Sequence, residues 1–288
     1  MESKLIGTGV ALVTPIDSDF SVDYDSLKKL LDHVIEGGVD YLVVQGTTGE
    51  SPVFSWTEKL RILTFIIDYV DAKLPVVFGL GGNNTYDLIE KAKDLKDMQI
   101  DAILSASPYY SKPSQEGILR HYKMLADAFP APIILYNVPS RTASNMEAGT
   151  TLALSKHPNI IAMKEASGDL DQCKMIIDEK PDDFLLLSGD DGLTHEMIKQ
   201  GAEGVISVIA NLIPDQFSEM VNLVLKGDYD ASSKKENALK NSINLSMKEG
   251  NPSSIKAGLE SIGICSRTVK PPLFDASDDL VKDWGKVV

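Results

Sequence analysis

Eight short apolar runs recur along the chain, each separated from the next by one amphipathic segment, and this repetition constrains the fold more than any other feature. The first four are GVALVTP from Gly9, YLVVQG from Tyr41, PVVFGLG from Pro75 and DAILSASP from Asp101. The series continues with PIILYNVP from Pro132, IIAMKEAS from Ile160, FLLLSGD from Phe184 and GVISVIAN from Gly204. The runs are continuous rather than alternating, the pattern of strands covered on both faces in a parallel sheet. Helical periodicity fills gaps such as 25–36, 57–71, 85–97, 114–128 and 214–226. Ser55, Thr85 and Ser114 stand where N-caps belong, and Gly37-Gly38 and Gly227 follow helix ends. Eight β/α units before Gly227 predict an α/β chain closed into a (β/α)8 TIM barrel rather than a doubly wound open sheet. Beyond Gly227 the pattern is helical only, over 228–248, 252–263 and 278–284, with no low-complexity linker. The expected organisation is a catalytic barrel over 1–227 and a C-terminal helical extension over 228–288.

A formal net charge of −14 argues against nucleic acid and anionic membrane as partners, since both are polyanions. It does not exclude a small anionic substrate gathered by local cations. No apolar run approaches the roughly 20 residues of a membrane span, and the N-terminal MESKLIGTGV has no signal-like core, so a soluble, cytoplasmic protein is expected. Cys173 and Cys265 fit no metal or redox spacing and read as structural thiols in a reducing compartment.

In a barrel of this kind the active site lies at the C-terminal ends of the strands, and here those ends are polar: QGTTGES, SPYYSKPS, YNVPSRT, KEASGD and SGDDG. Lys164 interrupts an apolar strand near its end. Its bland reading is an ion pair with Glu165, but neighbouring strand residues point to opposite faces. Its functional reading is an inward lysine, for which desolvation favours the neutral, nucleophilic amine; the residues alone leave both open. Tyr136, at the end of the fifth run, is either a core filler or a phenol that moves protons. The turn GTTGES can form an anion-binding concavity suited to a small carboxylate, or simply a tight turn held by threonine hydroxyls. Arg141 in VPSRT is either a surface ion-pair partner or a bidentate clamp for a carboxylate. GLGGNN, from Gly79, is wrong for a dinucleotide fingerprint and reads as a cap for the next helix. Asp190 and Asp191 lack further ligands at metal-binding spacing, so no metal is expected.

Taken in order, GTTGES, SPYYSKPSQEG, ILYNVPSRT, MKEASG and GVISV resemble the dihydrodipicolinate synthases, within the pyruvate-dependent class I aldolases, over residues 7–263. The resemblance implies that Lys164 forms an imine with pyruvate, with no separate cofactor, and that Tyr136, Thr47 and Tyr110 form a proton relay. It also implies that Thr48 holds the pyruvate carboxylate, that Ile206 and Gly189 line the substrate pocket, and that Arg141 binds the carboxylate of L-aspartate 4-semialdehyde. The expected product is 4-hydroxy-tetrahydrodipicolinate, in diaminopimelate and lysine biosynthesis. Tyr110 would reach a neighbouring subunit's site, implying a tight homodimer, paired again as a dimer of dimers.

Two other functions compete. One is a sialic acid (N-acetylneuraminate) or 2-keto-3-deoxy acid lyase, which shares the lysine and tyrosine but generally lacks the Ser-Arg-Thr run. The other is a non-catalytic 2-oxo acid sensor, which would need only the carboxylate contacts. Feedback by lysine is expected to be weak or absent. Ser51, Asn83 and Tyr109 match residues that bind lysine in inhibited members, but Trp56 and Lys59 stand where histidines are common, and Asp87 replaces a longer acid. An ammonium at Lys59 would repel that of a bound lysine.

Overall fold

The computed structural model describes residues 4–287. Residues 1–3 and 288, the outer ends of the two spans and the start of the N-terminal segment considered above, lie outside them. The eight apolar runs form eight parallel strands: β1 Gly7–Ala11, β2 Tyr41–Val44, β3 Val76–Gly79, β4 Ala102–Ala106, β5 Ile133–Asn137, β6 Ile160–Glu165, β7 Leu185–Ser188 and β8 Gly204–Ser207. Each pairs with the next, and β8 closes on β1 with Gly9 opposite Ile206, giving a closed barrel.

Helices α1 Tyr24–Glu36, α2 Trp56–Val70, α3 Thr85–Ala92 and α4 Gln115–Ala128 cover the first half of the barrel. The second half carries α5 Pro139–Thr142, α6 Ala148–Leu154, α7 Leu170–Glu179, α8 Thr194–Gln200 and α9 Pro214–Leu225. Ser55 caps α2 through a reciprocal capping box with Glu58, and Ser114 caps α4. Thr85, expected as a cap, is instead the first helical residue of α3. Asn84 is extended and accepts from Asp87 N at 3.2 Å, while the Thr85 hydroxyl bonds His121 Nδ1 at 2.8 Å. The periodicity read over 85–97 is also interrupted, because α3 ends at Ala92 and gives way to a 3-10 turn over Lys93–Leu95.

Two apolar regions follow from strands covered on both faces. Inside the barrel, Val43, Val77, Leu104, Ile134, Ala162 and Leu187 pack together. Outside it, the opposite strand faces meet the helices in one larger core. The extension, α10 Tyr229–Leu245, α11 Ser253–Ser261 and α12 Asp278–Trp284, joins that larger core rather than forming its own. Trp284 is fully buried, and its indole N–H donates to Ser254 O at 3.0 Å. Among the described residues no helix is long and apolar enough to cross a membrane. Cys173 and Cys265 are buried and unbridged, and burial pushes both thiols up to about 12.

Candidate active site

A cavity of about 330 Å³ opens at the C-terminal ends of the strands. Its wall includes Thr47 and Thr48 after β2, Tyr136 on β5, Arg141 on α5, Lys164 on β6 and Gly189 after β7. Strand register brings Lys164 and Tyr136 together, since they are direct partners across β5 and β6. The Lys164 Nζ lies 4.7 Å from the centre of the Tyr136 ring, and the lysine is only 5% exposed.

Among the described residues, no carboxylate lies within ion-pairing distance of Lys164. Glu165 points to the other strand face, as the pleat requires. There it accepts from Asn137 Nδ2 at 3.0 Å, Gln172 Nε2 at 2.9 Å and Ser167 N at 2.6 Å. Burial raises its carboxyl above the usual range, and these donors partly offset that shift. Asn145 extends the network by bonding both Asn137 and Gln172. The network thus engages Glu165 and not Lys164, which faces an aromatic ring and the cavity.

Gly189 is required by proximity. A Cβ there would stand 2.7 Å from Ala166 Cβ and 3.0 Å from Lys164 Cε. The Thr48 hydroxyl is buried and accepts from Asn251 Nδ2 at 2.9 Å. Arg141 sits exposed on the short α5 and has no acidic partner within ion-pairing distance among the described residues. Its guanidinium is thus available at the mouth of the cavity.

Two expected site residues are not in this wall. Ile206 lies in the packed inner core of the barrel, where Val43 and Tyr136 also belong. Tyr110 is 89% exposed, at φ 71°, and lies outside the cavity. Among the described residues, Thr47, Tyr136 and Tyr110 make no hydrogen bond to one another. Asp190 and Asp191 border the cavity but serve the backbone around it: Asp191 reaches the segment after β8, accepting from Val208 N and Ile209 N at 3.0 and 2.8 Å, and Asp190 accepts from Gly192 N in its own turn at 2.9 Å. Burial raises the Asp191 carboxyl. Among the described residues no group of three His, Cys, Asp or Glu side chains stands at metal-binding distance.

The sequence reading missed one whole wall. Ile243, Ser246, Met247 and Asn251 of the extension border the cavity opposite the strand ends. No local pattern marks them, because only the packing of α10 and the segment after it brings them there.

The family model for the dihydrodipicolinate synthetase family matches residues 4–288. The chain belongs to the dihydrodipicolinate synthetase family. It is similar to the 4-hydroxy-tetrahydrodipicolinate synthase of Flavobacterium psychrophilum, 49% identical over 276 residues that cover 96% of this chain and 94% of that protein. Among solved structures it is similar to dihydrodipicolinate synthase from Thermotoga maritima, with a TM-score of 0.96 at 32% identity, covering 99% and 98% of the two chains. A further similar structure is the enzyme from Cyanidioschyzon merolae with lysine bound, with a TM-score of 0.95 at 33% identity and coverage of 99% and 98%.

A second cavity in this family member, of about 530 Å³, shares Thr47, Tyr136 and Arg141 with the first. Ser51, Trp56, Lys59, Asn83, Asp87 and Tyr109 all border it. Burial pushes the Lys59 ammonium down to about 8; the nearby Lys91 acts in the same direction and Asp87 opposes it. Asp87 is already engaged by Lys91 at 2.6 Å, and the Trp56 indole donates to Asp94 at 2.7 Å.

Proposed function

We propose that this chain is a 4-hydroxy-tetrahydrodipicolinate synthase that condenses pyruvate with L-aspartate 4-semialdehyde on Lys164. The observation that carries the reading is a lysine, 5% exposed and without an ion-pair partner among the described residues, facing Tyr136 inside a cavity that also holds Thr48 and Arg141. The Lys164 amine attacks the pyruvate ketone to give a carbinolamine, which loses water to become an iminium. The positive nitrogen acts as an electron sink, so a methyl proton leaves and an enamine forms. Tyr136 moves protons in these steps, with Thr47 and a second copy's Tyr110 completing the relay.

Thr48 holds the pyruvate carboxylate, and Arg141 clamps that of the aldehyde in two parallel hydrogen bonds. Ile206 and Gly189 shape the pocket, Ile206 from the inner core. The enamine carbon attacks the aldehyde, whose oxygen takes a proton. The substrate amine then attacks the imine carbon, the Lys164 nitrogen departs with a proton, and the six-membered ring closes. No separate cofactor enters this sequence. The exposed position of Tyr110 supports a tight dimer in which it serves a neighbour, paired again as a tetramer; a cytoplasmic setting suits such a biosynthetic step.

Borohydride reduction in the presence of pyruvate, followed by peptide mapping, tests the reading. The expected result is an adduct on Lys164, and an unmodified Lys164 would overturn it. Coupled assays with L-aspartate 4-semialdehyde and N-acetylneuraminate then separate condensation from sialic acid cleavage, and only the first should proceed.

A further inference from the structure

We propose that the helical extension is part of the catalytic apparatus, with Asn251 and the buried Glu50–Lys256 ion pair as positioning residues for the carboxylate-binding turn. This rests on the reading of Thr48 as the pyruvate carboxylate ligand.

The turn is strained at both ends. Gln45 and Glu50, neither of them glycine, lie in the left-handed region with φ of 58° each. Such a backbone persists only where its surroundings over-determine it. At the Gln45 end the barrel supplies the constraint: the side-chain amide donates to Thr14 Oγ1 at 3.0 Å and to Gly49 O at 3.3 Å. At the Glu50 end the constraint comes from 206 residues away, where Lys256 Nζ pairs with Glu50 Oε1. Lys270 N donates to Glu50 Oε2 at 2.8 Å, and Lys256 Nζ also donates to Thr268 O at 2.8 Å. Both charged side chains have 0% exposure. Burial pushes the Lys256 ammonium down, and Glu50 opposes that shift.

A buried pair of this kind gains little over apolar residues of the same volume, so net stability is a poor explanation for its presence. What it supplies is direction. It fixes the Glu50 side chain, and through it the end of the turn that carries Thr48. Asn251 then fixes the hydroxyl itself. Because the Thr48 oxygen accepts from Asn251 Nδ2, its own proton is left to donate, and Thr48 borders the cavity that holds Lys164. The extension thus determines both where the threonine sits and which way its hydroxyl points.

The decisive variant is Asn251→Asp, which keeps the shape but replaces the donor with an acceptor and adds a negative charge. It should capture the Thr48 proton and raise the pyruvate concentration for half-maximal adduct trapping by at least about tenfold. The thermal midpoint should stay near that of the wild type, and half-saturation by the aldehyde should shift far less. Single changes at the ion pair leave a buried charge alone and risk unfolding. The double variant Glu50→Gln with Lys256→Met removes both charges and should raise pyruvate half-saturation by about fivefold in folded protein. Wild-type pyruvate half-saturation in folded Asn251→Asp and in the folded double variant would overturn the positioning role, as would an effect confined to the melting temperature. A wild-type protein that traps no pyruvate would overturn the condensation reading itself.

Discussion

Gly189→Ala tests how tightly Lys164, the proposed nucleophile, is held. The added methyl would stand 2.7 Å from Ala166 Cβ and 3.0 Å from both Glu165 O and Lys164 Cε. Ordinary carbon contacts lie at about 3.5–4.0 Å, so the shortfalls are roughly 0.8 Å and 0.5 Å. The loop cannot simply lift away from β6, because Gly189 N donates to Glu165 O at 2.8 Å. Ala166 Cβ and Glu165 O can yield only with the backbone at the end of β6, which also carries Lys164, while the flexible lysine stem is pushed directly, so the amine moves in either case. A displacement of about 0.5–1 Å at the proposed nucleophile corresponds to about a hundredfold loss in turnover, or about 2.7 kcal/mol in the barrier. Overpacking should lower stability by about 1–3 kcal/mol. The assay is the rate of Lys164 adduct trapping with pyruvate together with steady-state condensation and thermal unfolding. Gly192→Ala is the matched control, since its added methyl would meet only Asp190 Oδ1 at 3.4 Å and Ile243 Cγ2 at 3.8 Å. It should stay within about 0.5 kcal/mol of wild-type stability. Turnover of Gly189→Ala within about threefold of wild type would refute the claim that the close approach at Gly189 sets the position of the lysine.

Tyr110→Phe should lower kcat by about a hundredfold through loss of the proposed relay hydroxyl, without changing the melting temperature, because the side chain is 89% exposed; an unchanged kcat would reject the relay. His121 has its imidazole pushed down to about 4 by burial, so the folded state favours the neutral ring. Its contribution, on the order of 3 kcal/mol, is fully present above about pH 6.5 and is lost as pH falls toward about 4. His121→Gln should therefore flatten that acid limb in denaturant titrations, and an unaltered slope would show that other groups produce it. L-Lysine should inhibit weakly or not at all, since a bound ligand ammonium would meet Lys59 in the second cavity. Half-inhibition at sub-millimolar L-lysine in the condensation assay would contradict this.

The strands were legible because a parallel barrel covers both faces of each one, which leaves an unbroken apolar run in the sequence. Lys164 was legible for the same reason, as a charge inside such a run. Ser55 and Ser114 were legible as caps because each competes with no neighbour. At α3 both Thr85 and the GLGGNN segment were candidates, and the structure selects Asn84 of that segment, whose side chain accepts from Asp87 N. The two faces of β6 also separated as the pleat requires, with Glu165 bonded to Asn137 and Gln172 and Lys164 facing the cavity.

What the chain alone determined was therefore periodic or local: eight strands, the helices between them, and the polar residues stranded at strand ends. Those features depend on contacts a few residues apart or on burial that repeats along the chain. The tertiary structure alone decided the rest. It placed Asn251 against Thr48, 203 residues away, and Lys256 against Glu50, 206 residues away. It set Ile206 into the inner core and turned Tyr110 outward. Hydrogen bonds and ion pairs over such separations leave no period in the sequence, because each depends on where the whole chain returns after closing the barrel.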